Sequence, residues 1–159
     1  MTSRSPVTSL RADIARWKEM LPEASGTLVQ GMAAKCATQF EGLLKQLAVQ
    51  CLNAHRLDIK ALLSRIHYRG DAREVRMLPL GSVTELILAL RQHDSDLSNA
   101  LPASVAEMLV QIPSLRNKTI HETRMADVQA RTARLIKLID AVLSHEPFAH
   151  LLVGFELED

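Results

Sequence analysis

Apolar residues recur along this chain at steps of three and four, the spacing that places them on one face of an α-helix. Strand-type alternation is absent. Leu10, Ile14, Trp17 and Leu21 predict a first helix from near Ser9 to just before Pro22. A long second helix is expected over Gly26–Leu52, with a stripe of Leu28, Met32, Ala33, Cys36, Phe40, Leu43, Leu44, Leu47 and Cys51; Gly31 and Gly42 fall off that stripe. Ile59, Leu62, Leu63 and Ile66 predict a shorter helix over Leu57–Tyr68, stopped at Gly70. Arg69–Leu80 reads as an irregular connection, after which Ser82 and Glu85 form a capping-box pattern opening a helix over Val83–Gln92. Asp94–Asn99 reads as a loop, and Pro102 as the first residue of a helix that ends at Pro113. Ser114 then caps a final long helix over Leu115–Ser144, and Pro147 stops it ahead of an acidic tail. The expected fold class is all-α: an up-and-down helical bundle of about five to six helices, with its core over about 9–146 of a single 1–159 domain.

Composition narrows the picture. At 159 residues the chain is long enough to bury one core without staples. Hydrophobic residues make up 47% but aromatics only 3%, so the core must be aliphatic, which suits helix on helix. No charge-free stretch is long enough for a bilayer, and Met1–Met20 carries six charges and no secretory run, so a cytoplasmic protein without a membrane partner is expected. Nineteen basic and eighteen acidic residues offer no global field, and any polyanion must be held by a local patch. Cys36 and Cys51 fall about 22 Å apart on one helix, too far to bridge, and have no zinc-ligand spacing. His145 and His150 are separated by Pro147, with no further ligand to complete a metal site. There is no phosphate loop, nucleophile elbow or zinc-protease motif, so neither cofactor nor metal is expected.

The pattern breaks once. Met125, Val128, Thr132, Leu135, Ile139, Val142 and Leu143 define the stripe of the last helix; followed backwards at the same steps it meets His121 and then Asn117. Polar groups thus stand where the period calls for core, the kind of local contradiction found at functional sites. Asn117 and His121 are an i,i+4 pair about 40° apart around an ideal helix, whereas Arg116 lies roughly 140° from His121. The other reading of the pair is the wet end of a bundle helix, hydrogen-bonded to neighbouring loops.

The run Arg116-Asn117-Lys118-Thr119-Ile120-His121 resembles the signature of the HEPN superfamily, small helical domains found in toxin and antiviral ribonucleases: an Arg, often followed by Asn, four to six residues, and a His. Of six histidines only His121 has an Arg at that distance upstream. Pro79-Leu80-Gly81-Ser82-Val83 resembles the segment that often precedes the signature, and Phe40-Glu41 resembles the family's second-helix pattern, so the resemblance spans about Gly26–Ser144. It implies a HEPN-like bundle and a metal-independent endoribonuclease whose site is completed across a homodimer, with Arg116, Asn117 and His121 from each protomer. A toxin or antiviral defence role, with an antitoxin protein as partner, belongs to the same implication.

The residue types suit that chemistry. RNA carries its own nucleophile, the 2′-hydroxyl, so the protein has to move protons and stabilise charge. Histidine titrates near neutral pH and can take or give the proton; an Arg fork can hold phosphate oxygens; an Asn can orient either. Glu41, at the edge of the second helix's stripe, is a supporting candidate to hold His121 or Arg116, although the favoured reading of such a residue is a solvated helix-edge acid. Lys118 suits a phosphate contact or an i,i+4 pair with Glu122. Arg65, Arg69, Arg73 and Arg76, interleaved with His67 and Tyr68, form the densest basic stretch and are RNA-binding candidates, as are Arg124 and Arg131, with Arg134 nearby. Against these stands the ordinary solvated face. The alternative function is a non-catalytic HEPN-like module that binds RNA or protein, and a third is a helical adaptor without RNA contact.

Overall fold

A computed structural model describes residues 6–153, so most of the expected acidic tail lies outside the described residues. Eight α-helices and no strand are present among them. They are α1 (Pro6–Met20), α2 (Gly26–Ala54), α3 (Ile59–Leu63), α4 (Leu80–Leu90), α5 (Ser95–Ala100), α6 (Ala103–Ile120), α7 (Met125–Ser144) and α8 (Phe148–Val153). The all-α helical bundle follows from the aliphatic stripes. The count exceeds the expected five to six because α3, α5 and α8 have only five or six residues each, too few to show a period.

Helix α2 is the axis of the molecule and packs against α1, α4, α6 and α7. Its stripe is buried as the spacing requires from Met32 onward, with Phe40 and Leu44 fully enclosed, but in the first turn Gly26 and Val29 take the buried positions and Leu28 is 46% exposed. Ser25 caps the helix, its hydroxyl accepting the Leu28 N–H at 3.4 Å. At the other end Arg56 adopts φ 52°, and the Leu57 N–H reaches the Leu52 carbonyl at 2.9 Å while the Arg56 N–H reaches Asn53. This is the Schellman closure, with an arginine in the left-handed position that glycine fills at least cost. Arg56→Gly is therefore expected to stabilise the protein by about 1 kcal/mol, read as a rise in denaturant midpoint at unchanged slope.

Several boundaries differ from expectation. Helix α4 starts at Leu80 directly behind Pro79, three residues before the expected Val83, because burial of Leu80 extends the apolar face backwards. Ser82 and Glu85 therefore do not form a capping box; Glu85 instead accepts the His67 N–H at 2.7 Å and meets the His67 ring at 3.1 Å. Asp94–Asn99 is not a loop, since the Asp94 carboxylate accepts the Leu97 N–H at 3.0 Å and nucleates α5, burying Leu97 and Ala100. Pro102 is the N-cap of α6 rather than its first residue. Pro113 does not end that helix: α6 runs through it to Ile120, and the proline sits against Gly81 of α4, where a β-carbon on that glycine would meet it at 3.8 Å. The chain turns over His121–Arg124, and α7 begins at Met125. After Pro147 it forms α8 and buries Phe148 and Leu152.

The link between α3 and α4, residues 64–79, contains only the 3-10 turn Val75–Met77, yet it is clasped to the bundle. Ile66, Ala72, Val75 and Leu78 are buried; the Tyr68 hydroxyl accepts the Ala72 N–H at 3.0 Å; Lys45 of α2 donates to the Arg76 carbonyl at 2.8 Å. The Tyr68 ring lies so close to Gly70 that a β-carbon there would collide with it. Cys36 and Cys51 are both buried and free. Burial, then the charges of Asp140 and Asp13, pushes the Cys36 thiol up to about 12. Cys51 rises to about 12 as well, through burial and then the neighbouring Asp94 carboxylate. Both thiols stay protonated near neutral pH and act as small core hydrophobes.

Candidate functional site

The polar interruption lies at the C-terminal end of α6 and in the turn behind it, not in the first turn of a longer helix. That location has an electrostatic consequence. A helix C-terminus presents carbonyls and the negative end of its dipole, so it favours cations and gives an anion no N–H groups; a phosphate there has to be held by side chains. Arg116, Lys118 and His121 supply three candidates within six residues.

Helix α6 buries Leu115 and Thr119, the latter donating its hydroxyl hydrogen bond to the Leu115 carbonyl at 2.7 Å. These fix the last turn and direct Asn117 and Lys118 to solvent, while Arg116 is half-buried. His121 is the C-cap, with φ −93° and ψ 0°; its N–H still donates to the Asn117 carbonyl at 3.2 Å, and its ring is exposed. The Arg116 guanidinium donates to the Asn117 side-chain oxygen at 3.1 Å. Arg116, Asn117 and His121 thus share one end of one helix, with Arg116 bonded to Asn117 rather than to His121.

The turn is built around Glu122, which sequence reasoning did not single out. One of its carboxylate oxygens accepts the N–H groups of Thr123 and Arg124, each at 3.0 Å, and the other pairs with Arg131 at 2.8 Å. Arg131 also donates to the Lys118 carbonyl at 3.2 Å, satisfying an orphan acceptor of α6. Gln30 of α2 donates to the Glu122 carbonyl at 3.0 Å and ties the turn to the bundle. Gly26 lies beneath Met125, whose side chain covers the glycine while remaining 54% exposed itself. The signal for this turn was four consecutive polar residues, His121 to Arg124, between Ile120 and Met125.

The Arg124 N–H bond holds the Glu122 carboxyl below its ordinary value of 4.5 against the opposing effect of burial, helped by the Thr123 N–H and the charges of Arg131 and Arg124. A carboxyl depressed on folding contributes stability that is complete above its unfolded value and lost as pH falls through the lower folded one. Amide exchange at Thr123 and Arg124 is accordingly expected to accelerate as pH drops below about 4.5, relative to the intrinsic rate. In Glu122→Ala, which removes the acceptor, exchange at neutral pH should already be fast, with no further acid-dependent step.

Other expected site residues lie elsewhere. Glu41 pairs with Lys45 at 3.1 Å and sits eleven residues beyond Gln30, about 16 Å along α2, so it does not hold His121 or Arg116. The arginine row falls on the clasped link rather than on a helix face, because the helix expected to carry its start ends at Leu63. Arg65, Arg69, Arg73 and Arg76 are all exposed there, but Arg76 pairs with Glu74 and Arg69 donates to the Tyr68 carbonyl at 3.3 Å. Lys45, which anchors this link, is about 22 Å along α2 from Gln30, so the row and the α6 end are separate surfaces. Arg124 is exposed at the start of α7.

Between α6 and α7 opens a cleft of about 420 Å³ lined by Gln111, Ser114, Leu115, Lys118, Ala130, Arg131 and Arg134. Among the described residues no group of three or more His, Cys, Asp or Glu side chains gathers as a metal site, and no helix is long and apolar enough to cross a membrane. Compared with known proteins, the chain matches no family model, no curated protein and no solved structure.

Proposed function

We propose that this protein is a metal-independent endoribonuclease of HEPN type, acting at the C-terminal end of α6. The observation that carries the reading is the grouping of Arg116, Asn117 and an exposed His121 ring on one solvent-facing helix end. In the proposed reaction a ribose 2′-oxygen attacks the adjacent phosphorus, a base takes its proton, and the bond to the 5′-oxygen breaks as an acid protonates the leaving group. The products are a 2′,3′-cyclic phosphate and a 5′-hydroxyl. Histidine supplies the proton transfer and Arg116 the charge on the phosphate oxygens. One imidazole cannot serve as base and acid at the same instant, and Arg116 diverges from His121 around α6; a homodimer placing two helix ends together removes both difficulties. The toxin or defence role and a restraining antitoxin partner belong to this proposal.

Incubation with single-stranded RNA in excess chelator is expected to yield those two ends and to leave a substrate with deoxyribose at the cut intact. Uncut RNA overturns the reading. For the composite site, adding excess His121→Ala protein to wild type should suppress cleavage, because the heterodimers that form hold one imidazole instead of two.

The Arg116–Asn117 hydrogen bond favours a second reading, a non-catalytic module that binds RNA, because it directs one of the guanidinium's donors to Asn117 and none to His121. Binding without cleavage selects it.

A further inference from the structure

The cleft between α6 and α7 lies on a different flank of α6 from Asn117. Gln111, Ser114, Leu115 and Lys118 recur at steps of three, one and three along one side of α6, and Ala130, Arg131 and Arg134 face them from α7. No carboxylate lines it, although the chain as a whole is almost neutral. Its three cations differ in role. Arg131 is fixed by Glu122 and the Lys118 carbonyl, so its charge is largely answered within the protein. Lys118 and Arg134 are exposed and have no ion-pair or hydrogen-bond partner for their side-chain nitrogens among the described residues. The fixed arginine sets the wall, and the two unpaired cations supply the attraction.

Ser114 and Gln111 add neutral hydrogen-bonding groups further along the cleft, and Leu115 with Ala130 gives it an apolar floor. Lys118 and Arg134 on facing helices, with neutral polar groups and an apolar floor in the same cleft, match a chain of alternating phosphates and flat, weakly polar rings. The volume lies within the range of small-ligand sites, about 300–1,000 Å³. We infer that the α6–α7 cleft is a binding track for single-stranded polynucleotide, with Lys118 and Arg134 contacting backbone phosphates of a strand that leads away from the His121 end. The choice of RNA as the strand rests on the ribonuclease reading; the cationic, acid-free lining does not.

The test is RNA binding across a salt series in a His121→Ala background, where the strand stays whole, using a fluorescein-labelled single-stranded oligonucleotide. Each lost phosphate contact lowers the steepness of log K against log salt by about 0.7 for single strands. Lys118→Gln with Arg134→Gln is expected to reduce that slope by about 1.4. Arg134→Lys should retain the full slope. Arg65→Gln with Arg73→Gln, on the separate basic link, should leave it unchanged. Both pairs are exposed, so circular dichroism should show native folding for each. An unchanged slope in the cleft pair, a loss in the link pair instead, or no binding by the parent protein overturns the inference. RNA that wild-type protein binds but does not cut overturns the ribonuclease reading and leaves the cleft standing; cleavage with an unaltered slope in the cleft pair overturns the cleft alone.

Discussion

Replacing His121 with alanine is expected to lower RNA cleavage by about 10²–10⁴-fold, the usual contribution of one positioned acid–base group, while RNA affinity stays within about twofold of wild type. The split follows from where the residue sits. His121 is the exposed C-cap of α6, and its structural contribution is a backbone N–H bond to the Asn117 carbonyl that any residue can make. Losing the ring therefore removes chemistry without loosening the turn, which Glu122, Gln30 and Arg131 secure independently. The measurement is single-turnover cleavage beside binding to a deoxy-substituted strand. Full activity in His121→Ala would exclude the assigned chemistry, whereas an equal loss of binding and cleavage would make the residue a binding contact only.

The largest effect on stability is expected from Phe40→Ala, about 3–5 kcal/mol. Phe40 is fully buried in the middle of α2, the helix that touches α1, α4, α6 and α7, so no single neighbour can move in to fill the space. With total stability of a domain commonly 5–15 kcal/mol, such a loss brings the protein close to its unfolding threshold. Urea unfolding should show a much lower midpoint with the slope preserved. A change below 1 kcal/mol would mean that the α2 packing described above is wrong. Trp17, at the rim of the same core and 9% exposed, offers a comparison in which solvent can take part of the vacated volume.

Much of this architecture is legible in the sequence because its long helices carry complete stripes. The α2 pattern from Met32 to Cys51 is buried residue for residue, and so is the α7 pattern from Val128 to Leu143. Thr132 is the polar member of the latter, with a hydroxyl that finds no hydrogen-bond partner among the described residues. The error at the candidate site has a definite origin. The turn His121–Arg124 is four residues long, so the interval from Asn117 to His121 to Met125 keeps a helical count across a place where the helix has ended. Periodicity cannot distinguish a four-residue turn from one more turn of helix. Pro113 reinforced the misreading, since a proline ordinarily marks a helix boundary, while here α6 carries it without ending. The identity of the polar cluster was readable from Arg116, Asn117 and His121; its position at a helix C-terminus, and the part played by Glu122, required long-range contacts to α2 and α7.

The strap of sixteen residues joining α3 to α4 has a mechanical corollary. Its backbone is pinned by Lys45, Glu85 and the Tyr68 hydroxyl, so the path of the chain is fixed although it lacks regular secondary structure. A segment tethered along its length in this way should open together with the bundle and not ahead of it.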